Sequence, residues 1–161
     1  MTAHGHPKAS TTSAAGEPGE LGLFAFFNEI GIINQLASAF FTRLLPDGVH
    51  VAHFAILNHM ARLGDDRTPQ QLASAMQVTK ATMTHSLQVL TARGFITLHP
   101  DPDDGRSKRV RLTDRGRAFR DAAIAAVETG FAPIAAQLAA LPMAAVTESL
   151  RKVRIVLDES R

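Results

Sequence analysis

Apolar positions along this chain follow two rhythms, a helical one that dominates and a short interlude of strict alternation. From Leu21 to Leu45 the run LGLFAFFNEIGIINQLASAFFTRLL is apolar over most of a helical circumference, with Phe24, Phe27, Phe40 and Phe41 spread around it. A helix of that kind requires partners on more than one side. Pro46, Asp47 and Gly48 end it, and a second, amphipathic helix follows with Val51, Phe54, Leu57 and Met60 or Ala61 on its inward face. Thr68, Pro69 and Gln71 then form a capping box ahead of the short helix PQQLASAM. Gln77 and Val78 make a tight connection to Thr79, the cap of a further helix whose Met83, Leu87 and Leu90 lie on one face. Ala81, Thr84, His85 and Gln88 fall on the opposite face, and Arg93 and Gly94 close the helix.

The period then drops to two. FITLH turns Ile96 and Leu98 inward, and after a charged loop RVRL turns Val110 and Leu112 inward, which predicts a β-hairpin. Thr113 caps a long Ala-rich helix carrying Phe119, Ala122, Ala126 and Val127, bent near Gly130 and Pro133. After Pro142, the residues Met143, Val146, Leu150, Val153 and Leu157 repeat at intervals of three and four, a seam of about two heptads that is too short to associate alone. The expected fold is mainly α with a small β-hairpin wing, an α+β chain of one compact unit. Residues 1–20, rich in Ser, Thr, Ala, Gly and Pro, are expected to form a disordered tail.

Charge sharpens this picture only when it is located. The net charge is +2, yet residues 78–120 carry nine Lys and Arg against four Asp, while the segments on either side are slightly acidic. A basic stripe confined to the short helices and the hairpin is the footprint of a polyanion partner. The 161 residues include no cysteine, which excludes disulfides and thiol chemistry. No nucleophile elbow, phosphate loop, H-E-x-x-H or dinucleotide loop is present, so the expectation is a protein without enzymatic activity or cofactor. The longest apolar stretches are interrupted by Asn28, Glu29, Asn34 and Arg43, or by Gln137 and Pro142, and the first 20 residues lack an apolar core. No membrane span and a cytoplasmic location are therefore expected.

Helix, tight turn, helix and hairpin in that order is a helix-turn-helix with a wing. Its second helix must present a small, polar outer face to a major groove roughly 12 Å wide. Ala81, Thr84, His85 and Gln88 meet that requirement, while Thr68, Gln70, Thr79 and Lys80 lie at helix N-termini, where phosphates are favoured.

The run LASAMQVTKATMTHSLQVLTARGFITLHPDPDDGRSKRVRLTDRGR resembles the winged helix-turn-helix of the MarR family of bacterial transcriptional regulators. The likeness is carried above all by the D-x-R wing, Asp104 and Arg106, followed by L-T-x-x-G, Leu112, Thr113 and Gly116. It implies a winged helix-turn-helix DNA-binding domain over residues 47–112 and a helical dimerisation region formed by residues 21–46 and 113–161. It further implies a homodimer on a pseudo-palindromic operator in double-stranded DNA, in most members as a repressor released by a small-molecule effector. On this likeness the helix from Thr79 reads the major groove, Arg106 enters the minor groove, and Lys108 and Arg109 face phosphates. Asp104 braces the wing by holding a basic side chain of the wing or its base, whereas Asp101 and Asp103, alternating with Pro100 and Pro102, are either solvated loop acids or acids that stiffen the turn by bonding nearby backbone N–H groups. Where many members have arginine, this chain has His85. A ligand pocket is expected where the first two helices meet the fifth, with Phe27, His53, Phe54 and Phe119 as its residues.

Two other readings compete. His50 and His53, spaced i, i+3, form a possible metal-ligand pair with Asp65, Asp66 or His99 as a third ligand, which would make the chain a metal-responsive regulator. A winged helix can also serve protein–protein contact rather than DNA.

Overall fold

The structure, a computed structural model, describes residues 22–160, so the expected tail over residues 1–20 lies outside the described residues. Seven α-helices and one two-stranded antiparallel sheet follow one another along the chain. They are α1 (Leu23–Leu44), α2 (Val51–Leu63), α3 (Pro69–Ala75), α4 (Lys80–Ala92), β1 (Ile96–Pro100), β2 (Lys108–Leu112), α5 (Asp114–Gly130), α6 (Ala135–Ala139) and α7 (Met143–Glu159). The mainly α architecture with a β-hairpin is the one expected.

The chain divides into two units inside α1, between Ala37 and Ser38. The first unit presents Leu23, Phe24, Phe26, Phe27, Ile32, Ile33 and Leu36 as exposed side chains, Phe24 at 83%. No residue of α1 is buried. The second unit holds the core, to which α2 contributes Ile56, Leu57 and Met60, α3 Leu72, and α4 Met83, Leu87 and Leu90. Ile96, Val110 and Leu112 of the hairpin and Phe119 and Ala123 of α5 complete it.

Local chemistry explains where the elements start. Thr68 Oγ1 accepts from Gln71 N at 3.2 Å while Gln71 Oε1 accepts from Thr68 N at 2.9 Å, the reciprocal bonds of a capping box. Thr79 Oγ1 accepts from Thr82 N, and Thr113 Oγ1 accepts from Gly116 N, so all three expected threonine caps are made. Thr113 also donates to Gly94 O at 2.7 Å, which fastens the start of α5 to the left-handed Gly94 at the end of α4.

Two packing expectations are corrected. In α5 the buried alanine is Ala123, not Ala122, one position round the helix. Leu98 is not inward but 36% exposed, although it pairs with the fully buried Val110. The reason is lateral cover: Val110 is flanked by Arg67 in a third, bridging segment, whereas Leu98 lies on the edge strand. By length and composition alone, Leu23–Leu44 and Asp114–Ala139 reach what is needed to cross a bilayer, with stretches of mean hydropathy 1.2 and 1.4.

The expected seam on α7 is present and uncovered. Met143, Val146, Leu150 and Leu157 are all exposed, and no residue of α7 is buried.

One close approach fixes the junction of wing and α5. A Cβ on Gly116 would lie 2.1 Å from Phe95 O, the carbonyl that accepts from Thr113 N. Neither backbone can retreat without breaking that bond. Gly116→Ala is therefore expected to destabilise the fold by at least about 1–3 kcal/mol, read as a lower urea midpoint at unchanged denaturant slope.

Candidate nucleic-acid interface

The turn between α3 and α4 places the expected reading helix. Gln77 takes the left-handed conformation (φ 54°), with its Nε2 donating to Ser74 O at 2.7 Å, and Val78 N donates to Ala73 O at 3.0 Å. Met83, Leu87 and Leu90 pin α4 to the core, so Lys80, Ala81, Thr84, His85 and Gln88 all face outward, as the spacing predicts. Their chemical freedom differs. Thr84 Oγ1 donates to Lys80 O at 2.8 Å, which leaves its hydroxyl as an acceptor. Thr79 and Thr68 are engaged as caps and set helix position, while Gln70 and Gln88 are exposed amides.

Three elements converge beside this face. Thr68, Pro69 and Gln70 of the α3 start, Lys80 of α4, and Asp104, Arg106, Ser107 and Lys108 of the wing line one open depression of about 430 Å3. Its cations are Lys80, Arg106 and Lys108, all exposed and none in an ion pair among the described residues.

Inside the wing the acids divide differently from expectation. Asp101 is 7% exposed, so it is not a solvated loop acid; it stiffens the turn, the other expected role, and is also the brace. Its Oδ1 accepts from Asp103 N at 3.1 Å, and its Oδ2 lies 3.0 Å from Arg109 Nε. That buried Nε makes no aligned hydrogen bond, so the contact is Coulombic. Arg109, expected to face phosphates, is instead held by Asp101, by Asp103 at 3.7 Å and by Asp66, whose carbonyl accepts from its NH1 at 3.1 Å. A guanidinium surrounded by three carboxylates is a structural cation. Asp104, expected to hold a basic side chain, shapes the turn instead: its Oδ1 accepts from Arg106 N at 3.0 Å and its carbonyl from Ser107 N at 2.8 Å.

Asp65 and Asp66, named from sequence only as possible metal ligands, instead hold the wing. Asp66 Oδ1 accepts from Arg111 Nε at 2.8 Å, and Asp65 Oδ2 accepts from Leu112 N and from Arg117 NH2. Val110 N donates to Arg67 O at 2.8 Å and Asp66 N to Val110 O at 2.9 Å, so residues 66 and 67 add a backbone bridge to the hairpin. The available signal was the outward alternation of Arg109 and Arg111, which calls for acids on whatever lies beside β2.

A sequence model of the MarR family matches residues 47–107, the stretch from the end of α1 to the wing tip. Over that stretch the chain is similar to the MarR family. Among solved structures, a probable transcriptional regulator from Pseudomonas aeruginosa is 29% identical, with 82% of this chain and 98% of that chain covered and a TM-score of 0.64. Wild-type MarR from E. coli is 26% identical over 79% and 95% of the two chains, at a TM-score of 0.69. A mutant MarR from E. coli complexed with operator DNA is 24% identical over 81% and 94%, at a TM-score of 0.67.

The four residues expected to line a ligand pocket are not gathered in one place. Phe54 lines an apolar cavity of about 210 Å3 with Phe41, Leu45, Asn58, Ile124, Val127 and Glu128. Phe119 is a core residue stacked on Phe95 at 4.5 Å, and Phe27 lies in a shallow cleft of the first unit with Phe24, Asn28 and Ile32. His53 is not among the residues lining the Phe54 cavity. Nor do the histidines gather into a metal centre: His50 caps α2 through Nδ1, which accepts from Ala52 N at 3.2 Å. Among the described residues no three His, Asp or Glu side chains are placed to hold a metal ion, and Asp65 and Asp66 are engaged in the wing.

The hydrogen bond from Arg111 holds the Asp66 carboxyl below the usual carboxylate range, and the charges of Arg111, Arg109 and His99 act in the same direction. Because the folded value is depressed, its stabilisation is present at neutral pH, above the unfolded value near 4, and is lost as pH falls through the folded value. Asp66→Asn should thus lower stability at pH 7 but leave it nearly unchanged at pH 2, in denaturant unfolding at both pH values.

Proposed function

We propose that this chain is a DNA-binding transcriptional repressor that acts as a homodimer on a pseudo-palindromic operator in the cytoplasm and is released by a small-molecule effector. The observation that carries the DNA reading is the convergence of three unpaired cations, Lys80, Arg106 and Lys108, with the start of α3 on one depression beside the polar face of α4. Cations left without counter-charges favour a polyanion, and an adjacent small polar helix face suits base edges in a major groove. A mutant MarR from E. coli whose fold this chain shares is complexed with operator DNA, which is in keeping with the DNA reading.

The uncovered helices support the dimer. The side chains exposed on the first unit and the α7 seam are large and apolar, and covering each would contribute about 1.5–3 kcal/mol. A second copy covers them with matching faces under two-fold symmetry. Two reading helices then address successive major grooves about one turn apart. The apolar cavity beside Phe54, with Asn58 and Glu128 at its wall, is the place where an effector would bias dimer geometry, within the limit of its differential affinity for two geometries.

Selection from randomised duplexes tests the reading, with a palindrome as the expected product and no enrichment as the result against it. On the selected duplex, Arg106→Ala should weaken binding by about 1–3 kcal/mol with the fold intact. Lys80→Ala should weaken all sequences alike and reduce the salt slope by about 0.9 per contact removed, whereas His85→Ala should change base preference, both read by titrations at several salt concentrations.

A further inference from the structure

The cavity of about 210 Å3 beside Phe54 has an apolar wall and a polar edge of one charge sign. Phe41 at the end of α1, Leu45, Phe54 on α2, and Ile124 and Val127 on α5 form the apolar wall, and the polar groups are Asn58 and Glu128. All of them belong to the second unit.

Packing on either side keeps this space open. A Cβ on Gly130 would overlap the Leu44 side chain, so the end of α5 already touches α1 and can come no closer. Two turns earlier on α5, Arg120 Nε and NH2 donate to Asn58 Oδ1 at 3.2 and 3.1 Å, which holds α5 at a set distance from α2. An apolar cavity of about 150 Å3 takes one benzene ring. The larger space here suits one ring, or an aliphatic chain of like size, together with a short arm.

The sign of the edge follows from its groups. Asn58 is neutral, and its oxygen is taken by Arg120. Arg120 does not line the cavity, and its remaining nitrogen, NH1, donates to Asp121 Oδ1 at 2.8 Å. Glu128 is therefore the one charged group among the described lining residues. Its side chain is exposed and makes no ion pair among the described residues. It also stands in the last turn of α5, which holds no basic residue and where the helix dipole disfavours a negative side chain. An unpaired acid in that position, beside an apolar space, attracts a cation and repels an anion of the same size.

We propose that the ligand of the Phe54 cavity is a small organic cation, an amine carrying a single ring or a chain of similar size, whose apolar body fills the cavity and whose ammonium pairs with Glu128. The proposal rests on the reading of this cavity as the effector site and names the chemistry that site takes. Burial of the apolar body supplies most of the affinity. The ammonium stays at the exposed carboxylate in contact with water, so little of its hydration is lost, and the pair sets selectivity more than strength.

The test uses the full chain at pH 7 and three probes of nearly one size that differ in charge: 2-phenylethylamine, 2-phenylethanol and phenylacetate. In calorimetric titrations the amine is expected to bind more tightly than the alcohol by about two- to fivefold, with phenylacetate weakest. Glu128→Gln should bring the amine to the level of the alcohol. Glu128→Lys, which the end of a helix favours, should reverse the order of amine and acid and leave the alcohol unchanged. Val127→Phe, which fills the space, should remove binding of all three; should it fail to fold, the two Glu128 variants decide. An order that is flat or led by phenylacetate, or one that neither Glu128 variant moves, would overturn the amine proposal and leave the cavity as an effector site for other chemistry. Binding of none of the three would overturn the proposal together with the effector reading of the cavity. Addition of the amine to the complex with the selected duplex separates ligand class from regulation: release supports both, whereas binding without release would overturn the effector reading alone.

Discussion

One backbone bridge sets the geometry of the surface proposed to face DNA. Val110 N donates to Arg67 O and Asp66 N donates to Val110 O, and through these two bonds the hairpin is tied to the connection between α2 and α3. An isolated two-stranded hairpin is marginally stable in water, and its tip would wander. Here β2 is flanked on both sides, Val110 is fully buried, and the residue after the bridge is Thr68, the cap of α3. The wing and the start of α3 are thus parts of one connected backbone. Their cations can share a depression with Lys80 because the bridge leaves the hairpin little freedom to move independently.

How far the sequence reveals this follows from the range of each interaction. The threonine caps and the glycine after α4 were legible because their partners lie within four residues. Met83, Leu87 and Leu90 were legible because a helical period needs no knowledge of what it packs against. The wing was misread where partners lie far along the chain: Arg109 reaches Asp66 across 43 positions, and Arg117 reaches Asp65 across 52. From sequence alone Asp101, Asp103 and Asp104 are three acids in one loop, and only the register Pro100↔Lys108 and His99↔Arg109 brings Asp101 beside Arg109. The pocket was misread for a related reason. Phenylalanine spacing identifies apolar faces, but the stacking of Phe119 on Phe95 is decided by the turn between α4 and β1.

The acids in the wing resolve an apparent conflict in its charge. A loop that leads with negative residues should repel a phosphate backbone, yet Asp101 and Asp66 do not oppose the cations that face outward. They hold Arg109 and Arg111, whose positions on β2 are fixed by the strand. The exposed Arg111–Asp66 pair contributes little to global stability, so its effect is positional. The pairing sorts the cations into two classes: Arg109 and Arg111 are neutralised in place, while Lys80, Arg106 and Lys108 keep their charge for an external partner. An arginine at a mobile tip would lose up to about 2 kcal/mol of side-chain entropy on binding. Rigidity beneath Arg106, supplied by Asp104 on its own amide and by the Asp101–Arg109 pair below, reduces what must still be ordered when an external partner is bound. The negative charge of the wing is a condition for its positive end to be placed.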